Sequence, residues 1–177
     1  MHGADHGHGT AAEQQQDHAD REVEGLTAAG GTAGHLGTAW AWYTLSPNWS
    51  ALWPASTPAA YGTDKLQKIA ILMTDGEYNT QYDSNGISVN QNATSSCPQA
   101  ANGCSTVQAR ALCTAMKAKS IVVYTIGFQL GGNQTAIDTL NQCATDPTKF
   151  YNADDGDQLR QAFRDIALKL TSLYLSK

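Results

Sequence analysis

Lys68-Ile69-Ala70-Ile71-Leu72-Met73-Thr74, followed at once by Asp75-Gly76, is a short and almost uninterrupted apolar run closed by a turn signal. A strand with one wet face alternates apolar and polar residues, whereas one buried on both faces does not, so this run reads as a strand of a parallel sheet. Ile121-Val122-Val123-Tyr124-Thr125-Ile126-Gly127 has the same character, and Phe150-Tyr151-Asn152-Ala153 reads as a short third strand. Helical periodicity fills the gaps, with one helix around Val107 to Lys119 and a shorter one from Thr135 to Cys143 carrying Ile137 and Leu140. A closing helix from Asp157 places Leu159, Phe163, Ile166, Leu170 and Leu173 on one stripe, with Arg160, Arg164 and Lys169 off it. Strands alternating with helices imply an α/β fold, a parallel sheet with flanking helices.

Upstream of the first strand, Gly30-Gly31-Thr32 leads into a segment whose Leu36, Trp40 and Tyr43 recur at helical spacing, with Thr32 placed to cap it. Ser46-Pro47 ends that pattern, because proline disfavours helical geometry in the residue before it. A loop rich in Pro, Ser, Thr and Trp then runs to Asp64, where Trp49 and Trp53 pack locally or mark a contact surface. Order is expected to begin near Leu26. Residues 1–24 are polar and short of large apolar side chains, so they bury too little to offset chain entropy and read as a disordered leader ahead of a domain over 25–177. His2, His6, His8 and Asp5 have the chemistry of transition-metal ligands but no fold to fix their geometry. The long polar segment from Tyr78 to Ser105 reads as a functional or bridged insertion.

Composition narrows the functional classes. The 177 residues, 41% of them hydrophobic and 15% charged, suffice for one ordinary core and not for two. A formal charge of −5 without a Lys/Arg run argues against nucleic acid, which needs a basic face, and favours cations or basic partners. No stretch of about 18 apolar residues offers a membrane span, and the first residues lack the basic and apolar regions of a secretory signal. Cys97, Cys104, Cys113 and Cys143 form an even set, as in oxidising compartments, with neither CxxC nor zinc-finger spacing. If bonded, Cys97 is expected to pair with Cys104 across the polar loop and Cys113 with Cys143 between two helices. Other connectivities, and free buried thiols, remain open at this point.

The first candidate for chemistry is Asp75, because open parallel sheets bind ligands where loops leave the carboxyl ends of the strands. A carboxylate there can hold a hard divalent cation, with Gly76 permitting a sharp turn beside it; the plainer alternative is a loop or helix-capping aspartate. Gly30-Gly31-Thr32 before a helix, then an apolar strand ending Thr74-Asp75-Gly76, resembles in order and separation two of the three metal-site loops of von Willebrand factor type A domains, which have a Rossmann-like fold. The resemblance implies that Thr32 contributes a hydroxyl and Asp75 a carboxylate to Mg2+ (or Mn2+/Ca2+), whose open position takes an acidic group of a protein partner.

A nearer resemblance is to the A-type domain of TadG-like proteins of tight-adherence (Flp) pilus assembly. It rests on Gly30-Gly31-Thr32 with the Trp40-Ala41-Trp42-Tyr43 helix and Leu45-Ser46-Pro47, Met73-Thr74-Asp75-Gly76-Glu77-Tyr78-Asn79, Ala109-Arg110-Ala111-Leu112-Cys113 with Met116-Lys117, Val123 to Phe128, and Cys143-Ala144-Thr145 through Phe150-Tyr151. It spans roughly Leu26 to the end and implies a location in the bacterial cell envelope. The family's Asp-x-Ser-x-Ser loop and its early strands are absent, so an incomplete domain is expected. Two protein oxygens fall short of the about six to eight that Mg2+ or Ca2+ wants, and the strand nearest the missing centre is left as an unpaired, self-associating edge.

Rival chemistries are weaker. No GxSxG, HExxH or GxxxxGK[ST] motif occurs, so no catalytic residue is assigned. Gly30-Gly31-Thr32-Ala33-Gly34 is a phosphate cradle only in outline, since no basic residue stands beside it. His35 and Asp75 form a hydrolytic pair only if they share a pocket. Asp83, Asp154 and Asp155 are further oxygen donors whose plain reading is solvated loops. The leading expectation is a non-enzymatic, protein-binding domain of adhesion or pilus assembly, and the rival one is a metal-independent assembly scaffold working through its sheet edge, the cysteine loop and Trp49/Trp53.

Overall fold

The computed structural model describes the backbone at residues 11–25, 27 and 30–175, and the side chains in that range except at 11, 12, 19, 23 and 172–175. Two units separate at Gly30 and Gly31. In the first, the stretch read as a leader contains the helix α1 (Ala11–Glu24). Low burial does not forbid a helix when the residues are good helix formers: this one is rich in Ala, Glu and Gln, and Gln16 Nε2 donates to Asp20 Oδ1 at 2.8 Å one turn on. His18 and Glu22 form a second such pair, Nδ1 to Oε1 at 3.8 Å. His2, Asp5, His6, His8 and Leu26 lie outside the described residues.

The second unit contains α2 (Gly34–Leu45), a 3-10 turn (Pro47–Leu52), β1 (Ile69–Thr74), β2 (Gln81–Tyr82), β3 (Ser88–Val89), α3 (Ser105–Ala118), β4 (Val122–Phe128), α4 (Gln134–Cys143), β5 (Phe150–Ala153) and α5 (Gly156–Leu175). The main sheet has the order β1-β4-β5 and is parallel throughout, with Ile69 beside Val122 and Thr125 beside Phe150. β4 is central, so both its faces are covered and its sequence needs no polar face. On one face Ala70, Leu72 and Val123 pack with Cys113, Met116, Ile121 and Cys143, against which Trp42 and Leu45 of α2 lean. On the other, Tyr124 and Ile126 meet Ala162 and Ile166 of α5. Disulfides join Cys97 to Cys104 and Cys113 to Cys143. No helix among the described residues is long and apolar enough to cross a membrane.

Three local expectations change. Leu36 and Trp40 of α2 are exposed, and its buried residues are His35, Thr38 and Ala39, because small side chains bring α2 close to α3. Phe163 of α5 is likewise 43% exposed, while Ala162 lets the helix approach β4; the Leu173 side chain lies outside the described residues. The segment Tyr78 to Ser105 is not plain loop, since β2 and β3 form an antiparallel hairpin with Gln81 opposite Val89. Fully buried Gln81 organises it, its amide donating to the carbonyls of Asn90 and Ala93 and its Oε1 accepting from the Ser105 amide at 2.9 Å.

Candidate functional site at the carboxyl end of β1

At the end of β1, Thr74 Oγ1 accepts from the Gly76 amide at 3.3 Å and donates to the Gly76 carbonyl at 3.1 Å. This turn commits Thr74 and leaves Asp75 exposed at the sheet's carboxyl end. The chain then passes back along the Thr32 loop: the Thr32 carbonyl accepts from the amides of Asn79 at 3.0 Å and Thr80 at 3.1 Å, and its own amide donates to Asn79 Oδ1 at 2.9 Å. Thr32 is therefore held against the 78–80 segment through its backbone and does not cap α2, whose N-cap is Ala33 without a side-chain hydrogen bond. The same engagement of the Thr32 amide removes it from any phosphate cradle over Gly30–Gly34.

Contact this close needs glycine. A Cβ on Gly31 would stand 2.3 Å from Thr80 Oγ1, and one on Gly34 would stand 2.1 Å from the Tyr78 ring. Tyr78 is buried, and burial pushes its phenol above the ordinary range. Thr32 and Thr74 line one groove of about 360 Å³, together with Gly34, Gly37, Thr38 and Tyr78. The two loops singled out in the sequence are thus neighbours in space, and neither the Thr32 hydroxyl nor the Asp75 carboxylate has a hydrogen-bond partner among the described residues.

The donor set is small. Among the described residues no three His, Cys, Asp or Glu side chains converge as metal ligands. Asp83 is committed to its own turn, accepting from the amides of Asn85 at 2.8 Å and Ile87 at 2.9 Å. Asp155 Oδ1 accepts from the Gln158 amide at 2.8 Å at the start of α5, and Asp154 is exposed beside it. Thr32 and Asp75 alone do not make a closed cation cage, for which about six oxygens are needed.

His35 belongs elsewhere. It is 6% exposed, its Nδ1 lies 2.7 Å from Ser105 Oγ, and it borders a second groove with Leu36, Tyr82, Asp83 and Gln108. That groove does not contain Asp75, so the two residues of the hydrolytic reading are not brought together, and Ser105 is fully buried and closed to a substrate. Nothing in the local sequence marked Ser105 or Gln81, because their role depends on contacts far along the chain. Burial lowers the His35 pKa below its ordinary value of 6.5. Its neutral form therefore supports the fold fully above about pH 6.5, and that support is lost as pH falls through the lower folded value. Between about pH 7.5 and pH 5 the urea midpoint of His35→Asn is expected to fall less than that of the parent chain, and an identical fall would exclude His35 as the titrating group.

The aromatic residues of the α2 region pack on one another. Tyr43 stacks on Trp49 at 4.0 Å, Trp40 meets Tyr43 edge-on at 5.7 Å, and Trp53 Nε1 donates to the Tyr43 carbonyl at 3.2 Å.

These features define an α/β domain with a three-stranded parallel sheet whose paired loops meet at the carboxyl end of an edge strand. No protein-family model matches the chain, and no curated protein matches it in sequence. Two crystal structures of the pilus adhesin SpaC from Lactobacillus rhamnosus GG, one in an open conformation, are similar in fold. Their TM-scores are 0.59 and 0.58 at 15% and 16% identity, covering 91% of this chain in each case. This chain spans 21% of the length of that adhesin. At such identity the likeness is one of fold.

Proposed function

We propose that the chain is a protein-binding domain of the von Willebrand factor type A kind, close to TadG-like proteins, acting without catalysis in adhesion or Flp pilus assembly at the bacterial cell envelope. The observation that carries this reading is the hydrogen-bonded union of the Thr32 loop with the segment following Asp75 at the carboxyl end of a parallel sheet. The fold likeness to a pilus adhesin and the two disulfides support it, the latter because paired cysteines persist in oxidising compartments. In this reading the unengaged oxygens of Thr32 and Asp75 hold a weakly bound Mg2+ (or Mn2+/Ca2+), with water and a partner's acidic side chain filling its other positions.

Paramagnetic Mn2+ is the direct probe. At about millimolar metal, the range of weak extracellular oxygen sites, resonances of Thr32, Thr74 and Asp75 are expected to broaden first, and Asp75→Ala to need at least about tenfold more metal. Broadening spread evenly over the acidic surface, or unchanged in Asp75→Ala, would overturn the cation and leave the second reading, a metal-independent scaffold. That second reading is favoured by the lack, among the described residues, of any group of three His, Cys, Asp or Glu side chains that could hold a metal.

A further inference from the structure

The second groove has a volume of about 440 Å³, in the range of small-molecule sites, and His35, Leu36, Tyr82, Asp83, Asn102 and Gln108 line it. It shares no lining residue with the groove of Thr32 and Thr74. Ser105 decides what His35 offers there. The His35 amide donates to Ser105 Oγ at 3.4 Å, and His35 Nδ1 lies 2.7 Å from the same oxygen. A hydroxyl carries one proton, and among the described residues no other acceptor meets this one, so Ser105 donates to Nδ1. The neutral imidazole then holds its own proton on Nε2. Among the described residues, the side-chain atoms sealed from solvent without a partner are Asn90 Nδ2 and Arg110 Nε. His35 Nε2 has no partner there either and is not one of the sealed atoms, so its N–H opens into the groove.

Two neighbours are fixed in the same manner, with one end anchored and the other free. Asp83 Oδ1 accepts from the Asn85 and Ile87 amides, which leaves Oδ2. Gln108 Nε2 donates to the Gly103 carbonyl at 2.8 Å, which leaves Oε1. The Cys97–Cys104 bridge ends on the residue that caps α3, and Gln81 of the hairpin accepts from the Ser105 amide, so the hairpin and the start of α3 are tied together. Groups already held lose little rotamer freedom when a ligand arrives.

The groove thus combines one N–H donor, two free oxygen acceptors, the Tyr82 ring 6.0 Å from the His35 ring, and the exposed Leu36. Asp83 is the charged side chain among these lining residues, so an acidic ligand is disfavoured. The proton on His35 Nε2 occupies the lone pair that a metal would need. What fits is a neutral molecule that both gives and takes hydrogen bonds and has a flat apolar face. A pyranose has adjacent hydroxyls for the first and a C–H face for the second.

We propose that this groove binds one residue of a neutral pyranose sugar. His35 Nε2–H donates to one ring hydroxyl, Asp83 Oδ2 and Gln108 Oε1 accept from others, and Tyr82 meets the C–H face. No residue is shared with the Thr32 and Asp75 loops, so failure of the cation there leaves this site standing.

Nitrogen-15 NMR of the His35 ring at about pH 7.5 reads the tautomer: the proton is expected on Nε2, and a proton on Nδ1 overturns the proposal. The chain is then titrated with the methyl glycosides of glucose, galactose, mannose and N-acetylglucosamine, beside methyl glucuronide and N-acetyl-arginine amide. At least one neutral glycoside is expected to bind with a Kd below about 10 mM, shifting the His35 Nε2–H and the Gln108 side-chain amide, while glucuronide leaves both in place. Asp83→Asn keeps an oxygen for the turn but replaces the free acceptor by a donor, so it is expected to retain the melting temperature and to weaken binding by at least about tenfold. No saturation by any neutral glycoside at about 50 mM overturns the proposal, as does unchanged affinity in Asp83→Asn. Tighter binding of the glucuronide or of the arginine amide than of every neutral glycoside also overturns it, the latter making a basic side chain the occupant.

Discussion

Replacing Cys113 and Cys143 together by alanine is expected to cost about 4 kcal/mol of unfolding free energy and to lower the melting temperature by about 10–15 °C. The two cysteines are 30 residues apart, 0% and 1% exposed, and tie α3 to α4 inside the cluster that also holds Ala70, Leu72 and Val123. Chain entropy alone gives about 3.5 kcal/mol for a loop of that length, and the removed sulfur atoms add lost packing. The Cys97–Cys104 bridge closes a separation of only 7 residues in the hairpin segment, away from the sheet, so Cys97→Ala with Cys104→Ala is expected to cost about 2 kcal/mol. Calorimetry of both double variants, with and without reductant, makes the comparison. Equal losses would mean that the α3–α4 link does not carry the core.

The sheet was legible in the sequence because strands buried on both faces are written as apolar runs, and Ile69 to Thr74 and Val122 to Phe128 have no neighbours that imitate them. The face of α2 was not. Its large residues Leu36 and Trp40 repeat at helical spacing but point outward, while the buried side consists of His35, Thr38 and Ala39, whose value is smallness and a hydrogen bond to Ser105. Periodicity weighs hydrophobicity, so it misreads a helix that packs through small and polar groups. The same blindness moved Phe163 to the wrong side of α5, where Ala162 makes the close contact. The helix α1 is a different case, since it needs only local propensity and pairs one turn apart, neither of which hydrophobic periodicity registers.

The site was half legible. A strand ending in Asp75 marks a candidate loop by topology, without reference to any relative. That Thr32 lies beside this loop came from a family resemblance, and its means of attachment came from neither route. Asn79 Oδ1 with the Asn79 and Thr80 amides fixes Thr32, and polar loop residues announce no such pairing in advance. An unpaired edge is also invisible in a strand's own residues, because β1 reads as central and is an edge only in that no second strand among the described residues pairs with it.

Gly34→Val is expected to destabilise the second unit by about 3 kcal/mol, whereas Gly37→Ala, one turn along the same helix, is expected to be neutral or to stabilise by up to about 1 kcal/mol. At Gly34 the first added carbon alone would fall 2.1–2.2 Å from three atoms of the Tyr78 ring. The helix cannot simply withdraw, since the Gly34 carbonyl accepts from Thr38 Oγ1 at 2.8 Å and the preceding loop is tied down through Thr32. The ring must leave instead, and with it goes the burial of a side chain that is 5% exposed. At Gly37 a Cβ finds open space, so only the entropy and propensity gained over glycine remain. Urea midpoints of the two variants give the energies, and alkaline titration reports the ring: burial raises the Tyr78 ionisation, and its release in Gly34→Val should bring it back toward the ordinary tyrosine range. Because Tyr78 adjoins the Asn79 and Thr80 amides that hold Thr32, the same variant should also lose the preferential Mn2+ broadening at Thr32. If Gly34→Val instead unfolds at the parent midpoint with Tyr78 still titrating late, the contact between α2 and the 78–80 segment does not hold the two loops together.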